Sequence, residues 1–241
     1  MKIAIVSDIH ANLEAFEEVL PDLERTGAES IVCLGDCIGY GPDPEEVVRR
    51  VRSLAIQTVM GNHELGIAHP RFLSWFNESA RKSLLLTEGL ISEDTRGWLS
   101  RLDASLSFHG GLFVHGCPPD SITDYLFEAR DNRLARLLER MEHRICFVGH
   151  THLLELVSWR DGKLIRSSLG EGIIRLDART RYIANIGSVG QPRDGTREAK
   201  YAVWDTIEDT LEVRFVAYNA AETARKILVL GFPRINADRL L

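Results

Sequence analysis

The sequence predicts an α/β sandwich, and three patterns carry that reading. Apolar runs of strand length alternate with amphipathic helical stretches through the first half of the chain. The second half holds more strand-like runs, with hairpin signals at Gly110-Gly111 and Asp161-Gly162. Five of the apolar runs end in short polar islands, as strands do where they open into loops that carry side chains to one point.

The elements follow in order. Ile3–Val6 reads as the first buried strand. Asn12 is a helix cap for a segment with Leu13, Phe16, Val19, Leu20 and Leu23 at helical spacing. Pro21 falls inside that pattern and predicts a kink or restart, and Gly27 ends it. Ile31–Leu34 is the second strand. Asp43 or Pro44 opens a helix carrying Val47, Val48 and Val51, and Thr58–Met60 is the third strand. Strand–helix–strand repetition implies parallel pairing. Phe72 to Leu102 reads as mostly helical, with a second N-terminus at Ser92 and an apolar face of Phe76, Leu84, Leu85, Leu86, Trp98 and Leu99. Ser105–His109 and Leu112–His115 form a hairpin. A helix over 133–142 precedes a strand over 144–148, and 154–159 pairs with 163–167. Strands follow over 172–176, 182–186, 200–206 and 211–218, then a helix from Ala220 to Leu230 stopped by Gly231.

At 241 residues the chain suits one domain over 1–241, with no repeat, low-complexity tract or linker. No apolar run is long enough to span a bilayer, and the N-terminal run is cut by Ser7-Asp8 too early for a signal peptide. The expected location is therefore cytoplasmic. The four cysteines lack zinc-finger spacing; Cys33 and Cys146 read as buried small hydrophobes, Cys37 and Cys117 as loop packing near the islands. A net charge of −6 argues against a stable nucleic-acid complex but not against a nucleotide substrate, because bound cations supply local positive charge.

The islands are Asp8-Ile9-His10, Gly35-Asp36, Gly61-Asn62-His63-Glu64, His115-Gly116 and Gly149-His150-Thr151-His152. Taken singly, each is ordinary: D-x-H suits a solvated loop, alternate histidines share a strand face, and Asn and Asp are turn residues. Five of the eight histidines fall within them, each island after an apolar run, and that recurrence points to a metal site. A shared carboxylate holds two cations about 3.5–4 Å apart. Imidazole with carboxylate suits Mn, Fe, Ni, Co or Zn better than Ca or Mg, and the lack of cysteine among the donors argues against a structural zinc cage.

In order and approximate spacing these motifs resemble the calcineurin-like metallophosphoesterases. The segment Asn185 to Gly195, containing Gly187, Gly190, Gln191 and Arg193, resembles the C-terminal motif of the family's small bacterial and archaeal phosphodiesterase branch. The resemblance implies a four-layer α-β-β-α sandwich, two mixed sheets packed face to face between helices. It implies two divalent metal ions, Mn foremost. Asp8, His10, Asp36 and His152 would bind one, and Asp36 would bridge to a second completed by Asn62, His115 and His150. It further implies hydrolysis of a small phosphodiester or nucleotide by a bridging hydroxide, with His63 acting on the leaving oxygen and Glu64 orienting His63. Glu64 departs from the family's more frequent Asp at that position, which puts its reach to His63 in question.

Tyr40, Arg193 and Asn62 are the candidate substrate-binding residues, Tyr40 as a stacking surface and Arg193 as a phosphate contact. Asn12 reads as a helix cap before a phosphate contact. His69, His109 and His143 match no motif. Within the resemblance a dinucleoside polyphosphate is the preferred substrate. The alternatives are a cyclic nucleotide, a phosphomonoester, or a non-catalytic metal-bound scaffold, and the scaffold is disfavoured because every ligand and His63 are present. The β-rich C-terminal half offers surface for a homo-oligomer.

Overall fold

The computed structural model describes residues 1–241. The chain runs β1 (Lys2–Val6), α1 (Leu13–Arg25), β2 (Ser30–Cys33), α2 (Pro44–Ser53), β3 (Gln57–Thr58), α3 (Asn62–Ala68), a 3-10 helix (Pro70–Trp75), α4 (Glu78–Glu88) and α5 (Glu93–Leu99). There follow β4 (Ser105–Phe108), β5 (Gly111–Val114), a 3-10 turn (Leu126–Glu128), α6 (Asp131–Arg140), β6 (Ile145–Val148), β7 (Leu154–Arg160), β8 (Lys163–Ser168) and β9 (Gly172–Arg175). The last elements are β10 (Arg181–Ile186), β11 (Ala199–Asp205), β12 (Thr210–Val216), α7 (Ala220–Val229) and α8 (Arg234–Asp238).

Two mixed six-stranded sheets result, ordered β3-β2-β1-β11-β12-β9 and β4-β5-β6-β10-β7-β8. In the first, β1 pairs parallel with β2 (Ile5 opposite Val32) and antiparallel with β11 (Ile5 opposite Ala202). In the second, β6 lies parallel to both β5 and β10, and β7 antiparallel to β10. Strand alternation then sorts the side chains. Ile3, Ile5, Val32, Leu34, Phe113, Phe147, Ala184 and Trp204 join one core cluster to which both sheets contribute. Ala4, Val6 and Tyr201, from the opposite face of the first sheet, pack instead with Phe16 and Val19 of α1 and Val47 and Val51 of α2. On the second sheet Val114, Cys146 and Ile183 pack with Leu134 and Leu138 of α6. These layers make up the four-layer sandwich. Burying a side chain such as Phe16 completely contributes about 2–3 kcal/mol.

Local signals hold at most element starts. The Asn12 side chain accepts the Ala15 N–H at 3.1 Å, and the Ser92 hydroxyl accepts the Thr95 N–H at 3.1 Å. Pro44 occupies the first turn of α2. The expected break at Pro21 is corrected: α1 runs through it as one helix. Pro21 lies on the exposed face, and Glu17, whose carbonyl loses its i+4 N–H partner, is exposed too, so that carbonyl is open to solvent. The third strand is also shorter than the apolar run, ending at Thr58, with Val59 making only an isolated parallel bridge to Asp103. All four cysteines are buried free thiols.

Both sheets direct the C-terminal ends of their parallel strands to one edge, and the loops there are tied across strands and sheets. Asp8 N–H donates to Gly35 O (3.0 Å), Gly190 N–H to Asp8 O (2.9 Å) and Gly149 N–H to His115 O (2.9 Å). His150 N–H donates to Asp8 Oδ2 (3.0 Å), joining the β6 loop to the β1 loop.

Candidate metal centre

The polar islands converge at that edge. Asp8 and His10 follow β1, Asp36 follows β2, Asn62 and His63 open α3, His115 follows β5, and His150 and His152 follow β6. Asp8, His10, Asp36, His63, His115, His150 and His152 are all buried. Several hold a left-handed backbone that non-glycine residues rarely adopt: φ is 53° at Asp8, 48° at His10, 54° at Asp36, 66° at His150 and 59° at His152. Each sharp turn aims a side chain back toward the strand ends, and such conformations cluster at functional sites.

Hydrogen bonds fix which ring nitrogen of each histidine faces inward. His10 Nδ1 donates to Ile38 O (3.0 Å), His115 Nδ1 to Leu34 O (2.8 Å), His152 Nδ1 to Gln191 O (2.5 Å) and His150 Nε2 to Thr123 O (3.1 Å). A carbonyl only accepts, so the protons sit on those nitrogens. In a neutral ring the opposite nitrogen is a bare lone pair, as a metal ligand requires. These lone pairs meet. His10 Nε2 is 3.1 Å from His152 Nε2, and His115 Nε2 is 3.1 Å from His150 Nδ1. Two acceptors at that distance repel unless positive charge lies beside them.

The carboxylates supply the other half. Asp8 Oδ1 is 3.3 Å from His152 Nε2 and 3.6 Å from His10 Nε2, and it is buried with no hydrogen-bond partner. Asp36 Oδ2 lies between the two histidine pairs, 3.7 Å from His10 Nε2 and 3.3 Å from His115 Nε2. Asn62 Oδ1 is 3.0 Å from His115 Nε2. Asp8–His10–His152 and Asp36–His115–His150 thus form two donor clusters, and a third, His10–Asp36–His63, joins them through Asp36. The donor set, the orphaned Asp8 oxygen and the facing lone pairs fit two divalent cations.

The electrostatics agree. Burial works against ionising Asp8, yet His152 foremost holds its carboxyl well below the usual range. Asp36 is also held low, burial being outweighed by His115, His63 and His10. Burial opposes a proton on His115, but Asp36, with Asp8 and Glu64 behind it, lifts that imidazole to about 10. His150, dominated by burial, is pushed down to about 3. One ring is thus driven to carry positive charge that a cation between the donors would supply.

His63 faces the cluster at its margin, Nε2 4.0 Å from Asp36 Oδ2 and Nδ1 buried without a partner. Burial lowers it to about 4, so the ring is neutral near pH 7. Its backbone N–H donates to Asp36 Oδ1 at 2.9 Å. Glu64 is placed differently from the sequence expectation. It is fully buried and makes no hydrogen bond to His63; its carboxylate accepts the N–H groups of Asp36 (2.7 Å), Cys37 (2.8 Å), Ile38 (3.4 Å) and Gly61 (2.9 Å). Burial and the Asp36 charge raise it to about 7 against the pull of those amides. Glu64 therefore ties the loop that carries Asp36 to the start of α3, which carries Asn62 and His63.

Tyr40 packs its ring against His10 and His63, each at 4.6 Å between centroids, and Arg193 donates to its hydroxyl at 3.5 Å. Arg193 Nε is buried and unpartnered, and the guanidinium lies 5.8 Å from the Tyr40 ring centre. Asn12 caps α1 and donates to Gly190 O at 2.8 Å, tying down the Gly-rich loop that supplies Gln191 O. His69 and His109 are exposed and apart from the cluster. The sequence reading missed Tyr125, whose ring stacks on His150 at 4.0 Å and 13°. It also missed the carbonyls of Leu34, Ile38, Thr123 and Gln191; main-chain acceptors leave no residue-type signal. A depression of about 570 Å³, lined by Leu176, Asp177 and Asp209 among others, lies away from these groups and holds no histidine.

Comparison with known proteins matches this architecture. Residues 1–209 fit the model of the calcineurin-like phosphoesterase superfamily domain. An uncharacterized protein of Methanocaldococcus jannaschii is 34% identical over 243 residues, covering 99% of this chain and 96% of that protein. The crystal structure of a metallophosphoesterase from Sphaerobacter thermophilus superposes with a TM-score of 0.86 at 32% identity, covering 100% of this chain and 98% of the other. A hypothetical protein from Pyrococcus horikoshii shares the fold, with a TM-score of 0.80 at 17% identity over 99% of this chain and 97% of its own. The phosphodiesterase YfcE of Escherichia coli is 36% identical over 72 residues, 26% of this chain and 39% of its own. The family uses divalent metal ions. With its strand-end aspartates and histidines gathered at one edge of two mixed sheets, the chain belongs to the calcineurin-like phosphoesterase superfamily.

Proposed function

We propose that this protein hydrolyses a small phosphodiester or nucleotide with two divalent transition metal ions, Mn foremost. The observation that carries the reading is the two pairs of facing imidazole nitrogens on either side of Asp36. Asp8, His10, His152 and Asp36 would hold one ion, and Asp36, Asn62, His115 and His150 the other. When bound, such ions lower the pKa of water and neutralise phosphoryl oxygens. The chain's own residues do the rest. The carbonyls behind the four histidines lock their tautomers, and Glu64 holds the Asp36 loop in register with α3. His63, neutral near pH 7, offers an N–H to the leaving or phosphoryl oxygen and so stabilises developing charge. Arg193, braced by Tyr40, brings a cationic side chain to the rim for a phosphate oxygen. The similarity over 72 residues to YfcE, named a phosphodiesterase, favours a diester before a monoester, and a dinucleoside polyphosphate stays the preferred substrate. Free buried thiols fit a reducing cytoplasmic setting.

The test is hydrolysis of bis(p-nitrophenyl) phosphate after chelation and Mn addition. Activity that disappears with chelator and returns with Mn supports the reading. Full activity in Asp36→Ala or His115→Ala refutes it. Turnover of diadenosine tetraphosphate against a cyclic nucleotide then decides the subtype, and no cleavage of the former removes that preference.

A further inference from the structure

Beside the metal centre a cleft of about 410 Å³ opens, lined by Asn62 and His150 of the ligand set, by Phe72, Trp75 and Phe76, and by Tyr125. This volume falls in the range of small-molecule sites. Of its seven hydrophobic residues five are aromatic, Tyr40 being the fifth. Only part of the aromatic side belongs to the core: Phe76 packs against the first core cluster, whereas no residue of the 3-10 helix is buried and Trp75 is 65% exposed. Phe72 and Trp75 meet edge to face, centroids 4.6 Å apart at 70°. Phe76 sets its edge against His63 at 5.2 Å and 81°, so this wall reaches the proposed reacting groups. Tyr125 is stacked with His150 (4.0 Å, 13°) and with Phe127 (5.0 Å, 20°), which fixes the other side.

A phosphoryl group at the metal centre needs none of these rings. A lipid tail calls for aliphatic lining, whereas the cleft contributes only Leu65 and Ala80 of that kind. Polar groups stand among the rings, Asn62, Asn77 and Thr123, and suit the edges of a heterocycle better than a bare hydrocarbon. Tyr40 is 7% exposed and packed on two histidines, so ring surface for stacking lies at Trp75 and Phe72 instead. Resting on the phosphoesterase reading above, we propose that this cleft seats a planar aromatic group of the substrate, a nucleobase, so that the substrate class is nucleoside phosphate esters. Trp75 and Phe72 supply the stacking face, while Asn62 and His150 mark where base and phosphate sites join.

Calorimetric titration of the Mn-loaded protein with inorganic phosphate, ribose 5-phosphate, phenyl phosphate and adenosine 5′-monophosphate tests this. Stacking on an aromatic side chain predicts that the adenosine compound binds at least about tenfold tighter than ribose 5-phosphate. Trp75→Ala and Phe72→Ala should each shrink that ratio, while phosphate binding by the same variants reports an assembled metal centre. Trp75 fluorescence should be quenched on binding, a signal that Trp75→Ala loses. Phenyl phosphate binding as tightly as the adenosine compound would assign the ring to an aryl ester; weaker binding assigns it to a nucleobase. Equal affinity for the adenosine compound and ribose 5-phosphate overturns the cleft and leaves the phosphoesterase reading standing. No binding of phosphate by the Mn-loaded protein overturns that reading itself.

Discussion

The carboxylate of Glu64 accepts the backbone N–H of Asp36 at 2.7 Å, and with its remaining lone pairs it accepts those of Gly61, Cys37 and Ile38. One buried side chain thus joins the loop after β2 to the start of α3. Glu64→Gln turns one acceptor oxygen into a donor facing backbone donors, so stability should fall by about 2–3 kcal/mol. Urea denaturation measures it; an unchanged midpoint would show that the amides find other partners. Metal affinity should fall with it, because Asp36 loses its anchor.

Removing the shared carboxylate should disable both cations together. Asp36→Ala is expected to lose at least one equivalent of bound Mn, and hydrolysis of a diester should fall to background. Elemental analysis after gel filtration gives the stoichiometry. A variant that keeps two tightly held ions would show that Asp36 is not the junction.

His63→Ala separates chemistry from metal binding. The ring lies at the margin of the cluster, so both ions should remain, while kcat drops by about 10²–10⁴. Loss of metal along with the rate would instead place His63 among the ligands, a role its position 4.0 Å from Asp36 Oδ2 makes worth measuring.

Far from the site, Asp22 of α1 accepts two hydrogen bonds from Arg214 (2.7 and 2.9 Å), one from Tyr201 (2.7 Å) and one from Arg25 (2.9 Å). The Arg214 hydrogen bonds foremost hold its carboxyl well below the ordinary range, and its side chain is only 10% exposed. A depressed folded-state pKa stabilises the fold above the unfolded value, near 4, and that stabilisation is lost as pH falls toward the folded value. Asp22→Asn should therefore cost about 2 kcal/mol at pH 7, with a gap to the native chain that narrows below about pH 4. A gap constant from pH 7 to pH 3 would contradict it.

Much of this was legible because buried parallel strands are continuous apolar runs, and the residues just past them are where ligands gather. Ile3–Val6 before Asp8 and Ile145–Val148 before His150 needed no tertiary information. Short-range chemistry also read well: Asn12 and Ser92 cap helices, and Gly110 and Gly162 turn hairpins. What failed depended on distance or exposure. Pro21 does not break α1 because it faces water. α3 hid in a stretch of seven residues with Gly66 inside it, too short for a period to show. β8 and β9 are near neighbours in sequence yet join different sheets, a choice made by the partner β12 rather than by either strand. Phe76 packs against the core as read and also lines the cleft, a second role that only the tertiary structure shows, and the Glu64 carboxylate accepts four backbone N–H groups, partners that leave no residue-type signal.

The left-handed turns at Asp8, His10, Asp36, His150 and His152 set stability against occupancy. Such a backbone costs about 1 kcal/mol or more at each residue other than glycine, so glycine there would relieve the chain while removing a ligand side chain. Selection for heat resistance alone would tend to erode the centre one turn at a time. Cations bound there would offset that debt, which makes the melting temperature in graded metal a direct gauge of how fully the centre is loaded.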